Sequence, residues 1–166
     1  MNYIHICILS LIMIISSCGF YSFTGASISP DVKTISINYF ENNAKTVKSS
    51  LSSMITEKLK DFFDKQTNLE LIERESDLSF NGEIISYTIK PISIKSNETV
   101  QQNRLTIQIA VQFENKKDPK MNYNSNFSRY RDFPANEDLS IIEENLMNEI
   151  TDELIEDVFN KAIINL

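Results

Sequence analysis

The chain has 166 residues, of which 42% are hydrophobic and 23% are charged, with a formal net charge of −7. These values are close to the averages of soluble globular proteins and favour one folded domain with one core, rather than a disordered chain or a membrane bundle. The negative net charge argues against nucleic acid as a binding partner.

Residues 1–17 have the organisation of a secretory signal peptide. The apolar run at residues 6–15 is shorter than the roughly 20 residues that a membrane-spanning helix needs. An aliphatic residue, two serines and a cysteine follow in order at residues 15–18, a pattern that resembles the lipobox of bacterial lipoproteins. The resemblance implies cleavage before Cys18, a diacylglycerol on its sulfur and an acyl group on its new amino terminus.

A tether and a first strand come next. Residues 18–30 are small, aromatic and polar without acids, and we expect them to form the lipidated tether of a domain at residues 31–166. Residues 33–40 alternate Ile35, Ile37 and Tyr39 with polar side chains, the period of a strand with one buried face, and Asn42 and Asn43 are expected to end it.

The middle of the chain is predicted to contain one helix and two strands. Apolar residues recur at helical spacing from residue 44 to residue 65 and predict an amphipathic helix. Residues 69–72 and 78–94 are predicted strands, with a possible bulge at Gly82 and an edge or an end at Pro91. The polar segment 95–103 is predicted to be an exposed loop.

A hairpin and a closing helix complete the pattern. Strict alternation over residues 104–113 predicts a strand with one face on the core, and the turn residues 115–120 join it to an antiparallel partner at residues 121–132. A capping-box pattern at Ser140 and Glu143 then begins a predicted helix of about 26 residues. We therefore predict an α+β two-layer sandwich, with two amphipathic helices on one face of a mixed sheet of four to five strands.

The residue types in the predicted domain exclude most catalytic chemistry. Cys7 and His5 lie in the signal segment and Cys18 is the lipidation candidate, so the domain lacks Ser-His-Asp and Cys-His pairings and zinc ligands other than carboxylates. A Gly-rich phosphate loop is also missing. A glycosidase using Glu83 with Glu114 or Asp132 is the remaining enzymatic alternative. We expect no enzymatic activity and no cofactor.

Charge is distributed unevenly along the chain. Residues 137–157 contain nine acids and no base, and residues 84–131 carry eight basic residues against three acids. We therefore expect an electrically asymmetric molecule. The basic residues are candidate ligands for anionic groups such as phosphates and sugar acids. They are Lys90, Lys95, Arg104, Lys116, Lys117, Lys120, Arg129 and Arg131.

Three segments carry a likeness to a known family: residues 18–27, residues 127–130 and residues 156–162. Together with the element order, they resemble the LptE family of lipopolysaccharide-assembly lipoproteins, in its Bacteroidetes-type branch. The resemblance implies an outer-membrane lipoprotein that faces the periplasm, pairs with the LptD β-barrel, plugs it and helps to place lipopolysaccharide. The alternative is an accessory lipoprotein of another secretion or assembly machine in the same membrane, because a fold does not decide a function.

Overall fold

The computed structural model describes residues 28–46, 48–92 and 101–164, so the predicted signal segment (residues 1–17) and Cys18 lie outside the described residues. Two helices pack on one face of an open mixed sheet, and the predicted α+β class is confirmed. In chain order the elements are β1 (Thr34–Ile37), β2 (Glu41–Asn42), α1 (Ser49–Gln66), β3 (Glu70–Leu71), β4 (Leu78–Ile92), β5 (Gln102–Asn115), β6 (Tyr123–Pro134) and α2 (Leu139–Phe159).

The sheet has the strand order β3-β1-β4-β5-β6, with β2 also paired to β4, which makes six strands in the described residues. β1 and β2 run parallel to β4, and β4, β5 and β6 form a long antiparallel meander. The sequence predicts four to five strands. The sixth arises because the predicted first strand breaks after Ile37, and pairing with β4 resumes at Glu41. Tyr39, predicted to face the core, is 58% exposed at this break.

β5 is the centre of the meander and follows the predicted alternation. Its inward residues are all fully buried: Leu105, Ile107, Ile109, Val111 and Phe113. The strand begins at Gln102, so Gln102 and Asn103 belong to it and not to the predicted loop, whose residues 95–100 lie outside the described part.

The bulge in β4 is not at the predicted glycine. The pairing of β4 with β5 shifts between Ile84 and Ser86, whereas Gly82 pairs regularly with Val111. Gly82 leaves room for the side chain of Phe40. A β-carbon built at Gly82 would lie 2.1 Å from the ring of Phe40, which is fully buried. The glycine therefore lets the segment after β1 approach the sheet closely.

Both helices bury the predicted stripes. α1 begins at Ser49, five residues later than expected, and buries Leu51, Ile55, Leu59 and Phe63. α2 continues into a π-helical turn, Asn160–Ile164, and ends near the predicted residue. The ring of Phe63 lies 5.1 Å from the rings of both Phe80 and Phe159, so aromatic contacts run from α2 through α1 to the sheet.

The start of α2 differs from the predicted capping box. The N-cap is Asp138, whose side chain accepts a hydrogen bond from the backbone N–H of Ser140. Glu143, expected to return to the cap, bonds to Lys48 and Tyr87 instead. None of the helices in the described residues is both long and apolar enough to cross a bilayer.

The sheet has one covered face and one open face. Odd-numbered residues of β5 and β6 point toward the helices, and even-numbered residues point away from them. Among the described residues, no strand pairs with the outer edge of β6, and from Ser86 onward β4 pairs with β5 alone.

Candidate functional site

The fold separates the predicted basic residues into three places. Lys90 and Arg104 are cross-strand neighbours on the open face of the sheet. Lys116, Lys117 and Lys120 lie in the β5–β6 turn at the opposite end of β5. Arg129 and Arg131 point toward α2, and Lys95 lies outside the described residues.

Arg104 on the open face is held firmly by its neighbours. Its guanidinium donates to both carboxylate oxygens of Asp132, at 2.7 and 2.9 Å, and lies 3.6 Å from the centre of the Tyr130 ring. The hydrogen bonds from Arg104 lower the pKa of Asp132. Lys90, next to this pair, is exposed. The excess positive charge at this end of the sheet therefore comes from Lys90.

The turn lysines are also of two kinds. Lys117 lies 3.1 Å from the Asp77 carboxylate, whose other oxygen accepts hydrogen bonds from the backbone N–H groups of Lys33 and Thr34. These bonds, led by the one from Lys33, hold the pKa of Asp77 well below its usual range. Lys116 and Lys120 are exposed. They are the turn cations most open to an external anion.

The acidic helix and the basic strand lie against each other. Arg129 donates to both carboxylate oxygens of Asp157 at 2.6 Å, and Arg131 bridges Glu149 at 2.8 Å and Glu153 at 2.6 Å. Hydrogen bonding to Arg131 lowers the pKa of Glu153 and raises that of the arginine. The expected charge asymmetry is therefore largely neutralised within the molecule at this place.

The sequence contains a signal for these ion pairs between β6 and α2, although the pattern of β6 alone does not reveal it. Glu149, Glu153 and Asp157 recur every four residues and form one stripe of α2, beside the apolar stripe. Arg129 and Arg131 are two apart and share one face of β6. Two stripes of opposite charge on neighbouring elements would have predicted the contact.

A second polar contact joins both helices to the sheet. The hydroxyl of Tyr87 donates to Oε1 of Glu143 at 2.5 Å, and Lys48, just before α1, contacts the other oxygen at 2.7 Å. Burial opposes ionisation of Glu143, but the bonds from Lys48 and Tyr87 together lower its pKa. This contact lies between the helices and the sheet and holds the two layers together.

The proposed glycosidase carboxylates are far apart. Glu83 pairs in register with Ala110, which is four residues along β5 from Glu114 and six from Arg104, the partner of Asp132. At about 3.4 Å per residue these separations are roughly 14 and 20 Å, beyond the roughly 5 to 9.5 Å of paired glycosidase carboxylates. The described residues also contain no group of three acidic, histidine or cysteine side chains suited to a metal ion.

The open face carries a shallow groove of about 300 Å³ near the break between β1 and β2. Its floor contains a row of amide side chains across three strands, Asn81, Gln112 and Asn124, which the register places side by side. Glu83 and Ala110 continue the floor. No pattern in the sequence predicts this groove, because its residues come from β2, β4, β5 and β6 and from the residues on either side of β2.

Solved structures with this fold include bacterial lipoproteins. A minor lipoprotein from Acinetobacter baumannii is 16% identical with a TM-score of 0.53, over 81% of this chain and 94% of that one. An uncharacterised lipoprotein B from Nitrosomonas europaea is 12% identical with a TM-score of 0.50, over 76% and 79%. A putative neuraminyllactose-binding hemagglutinin homolog from Helicobacter pylori is 7% identical with a TM-score of 0.52, over 79% and 86%. The chain thus shares its helix-on-sheet fold with these three bacterial proteins.

The family is shown by sequence. The family model for lipopolysaccharide assembly, LptE, matches residues 32–162, which span every described element from β1 to α2. The chain belongs to the LptE family, whose members are non-enzymatic lipopolysaccharide-assembly lipoproteins of the outer membrane and carry no cofactor. No curated protein matches the sequence.

Proposed function

We propose that this protein is acylated at Cys18, faces the periplasm from the outer membrane, and partners an LptD-type β-barrel as its plug during lipopolysaccharide assembly. The family match over residues 32–162 is the observation that supports this role. A single acyl chain binds membranes only marginally, so the two or more chains implied at Cys18 would supply the stable anchor.

The barrel partnership can be tested by purification from native outer membrane. We expect mild crosslinking and detergent extraction to recover this chain together with an LptD-type barrel. A Cys18→Ser variant should be lost from the membrane fraction, and mass spectrometry of the wild-type protein should show a modified amino-terminal cysteine. Recovery of a different barrel would favour a role in another assembly machine.

Contact with anionic groups of lipopolysaccharide is assigned to the exposed cations. Lys90 on the open face is one candidate, and Lys116 and Lys120 in the turn are a candidate pair. Arg104, the cross-strand neighbour of Lys90, is already paired with Asp132. Lys117 is already paired with Asp77. Arg129 and Arg131 are engaged by α2, so they would have to leave carboxylates before they could bind a phosphate.

A binding experiment separates these places. We expect a Lys90→Glu variant or a Lys116→Glu, Lys120→Glu variant to weaken lipopolysaccharide binding, and the loss to be smaller in high salt. Lys45→Glu is the matched control for Lys90→Glu, because Lys45 is an exposed lysine outside both places. Unaltered affinity in both variants would show that these lysines do not contribute to lipopolysaccharide binding.

A further inference from the structure

The groove on the open face has side chains suited to an uncharged sugar. Asn81, Gln112 and Asn124 each offer an amide, which carries both donors and an acceptor, and sugar hydroxyls need both. Tyr39 adds a ring that is 58% exposed at the edge of the groove. Exposed aromatic rings with a polar tip suit ligands that have one apolar face and one polar edge.

Several of these side chains are held in place before any ligand arrives. The side-chain amide of Asn38 donates to Oδ1 of Asn81 at 2.5 Å, and that of Asn43 donates to Oε2 of Glu83 at 2.6 Å. Gln112 donates to Glu114 at 2.9 Å. The bonds from Asn38 and Asn43 fix the chain on either side of β2 as one wall of the groove. Groups that are fixed beforehand lose less freedom on binding.

A small residue makes the depression. Ala110 is the open-face residue of β5 between Gln108 and Gln112, so its methyl group leaves a gap between longer side chains. The volume of about 300 Å³ is at the small end of ligand pockets, which are roughly 300 to 1,000 Å³. One sugar ring, rather than a large ligand, fits such a site.

The negative charge of the groove disfavours anionic ligands. Glu41 and Glu83 are register partners and both line the groove, and none of the described lining residues is a lysine or an arginine. Phosphates and sugar acids would meet two carboxylates without a compensating cation. Carboxylates accept hydrogen bonds from neutral hydroxyl groups without such a penalty.

We propose that this groove, formed by Asn81, Ala110, Gln112 and Asn124 with Tyr39 at its edge, binds an uncharged pyranose unit. The assignment goes beyond the proposed function, since it names a second ligand chemistry away from the basic residues. Neutral sugars are present both in the oligosaccharide of lipopolysaccharide and in cell-wall glycans, so the ligand is defined here by its chemistry. The open geometry suits an affinity in the millimolar range, at roughly 1 mM.

The test is titration of the full chain, in a detergent that contains no sugar, followed by the side-chain amide signals in NMR. The probes are maltotriose as a neutral hexose oligomer, chitotriose as a neutral N-acetylhexosamine oligomer, and glucose 1-phosphate as an anionic counterpart. We expect at least one neutral probe to shift the Asn81, Gln112 and Asn124 amide signals saturably, and glucose 1-phosphate to bind more weakly. The probe that binds shows whether the groove prefers a hexose or an N-acetylhexosamine.

Two variants make the assignment specific to the groove. Ala110→Gln fills the depression without removing a hydrogen-bonding group, and we expect it to weaken binding about tenfold, the equivalent of one or two lost contacts. Thr106→Gln is the matched control, because it adds a similar side chain to the same face of β5 about 14 Å away. Thr106→Gln should leave binding unchanged.

The proposal fails if neither neutral probe shifts the groove amides, if the two variants bind equally, or if glucose 1-phosphate binds as well as the neutral probes. No barrel and no lipid phosphate takes part in this titration. Its failure would therefore leave the barrel partnership untouched, and loss of the partnership would leave this result untouched.

Discussion

The ring of Phe40 occupies the space that a β-carbon on Gly82 would need. Such a carbon would lie 2.1 Å from Cε1 of the ring, and neither group can move away easily. Phe40 is fully buried, and its backbone N–H donates to the hydroxyl of Thr56 on α1 at 3.0 Å. This contact joins the break after β1 to the central strand β4 and to the first helix.

Gly82→Ala should therefore destabilise the domain by about 2 to 3 kcal/mol, the upper part of the usual range for an overpacked core. Phe40→Leu alone should cost about 1 kcal/mol, and the double variant should cost clearly less than the sum, because the smaller side chain makes room for the methyl group. Urea unfolding monitored by circular dichroism measures all three. Strict additivity would contradict the steric account.

Arg131→Glu should destabilise the domain by about 1 to 2 kcal/mol, because it places a third carboxylate beside Glu149 and Glu153. The double variant Arg131→Glu, Glu149→Arg restores an opposite pair and should recover about half of the loss. Equilibrium unfolding in 50 mM and 1 M salt is the measurement, and the loss should shrink at high salt. If the single variant were as stable as wild type, the ion pairs between β6 and α2 would contribute nothing to stability.

Asp77 predicts a particular pH dependence. Its pKa is lowered in the folded state, chiefly by the hydrogen bond from Lys33, so its contribution is complete above the unfolded pKa near 4 and is lost as the pH falls further. Asp77→Asn should lower the Tm at pH 7, and the difference from wild type should narrow below about pH 4. Asp61→Asn, a change on the exposed side of α1, should alter the Tm little at pH 7. A Tm difference for Asp77→Asn that is constant from pH 7 to pH 3 would exclude this role.

The start of α2 offers a test of which residue caps the helix. Asp138 accepts hydrogen bonds from both the backbone N–H and the hydroxyl of Ser140, at 2.9 and 2.8 Å. Asp138→Ala should therefore lower the Tm more than Ser140→Ala, which leaves the backbone contact intact. Thermal unfolding of the two variants measures the difference, and the reverse order would restore the predicted capping box.

The strands and helices with a regular apolar period were predictable from the sequence. Leu105 to Phe113 alternate without exception because one side of β5 meets the helices along its whole length. The break at Asn38–Phe40 was not predictable, since it depends on the fit between the Phe40 ring and a glycine 42 residues later. Local periodicity contains no information about such a contact.

The basic residues could be named as candidates from the sequence, but their arrangement could not be predicted. The direction of Arg129 and Arg131 depends on the register of β6 with β5. A one-residue change in register would turn both arginines to the open face. The groove was missed for a related reason, because Asn81, Gln112 and Asn124 become neighbours only when three strands pair.

The position of β1 determines how the domain would bear a mechanical load. β1 has four residues, lies between β3 and β4, and begins at Thr34. The Asp77 carboxylate accepts hydrogen bonds from the backbone N–H groups of Thr34 and of Lys33 just before it. Tension applied through the amino-terminal side of the chain arrives at this clamp before it reaches the helices or the meander. The buried side chain of Val32 and the Asp77 contacts beside it are thus among the first interactions to be loaded when the domain is pulled from that side.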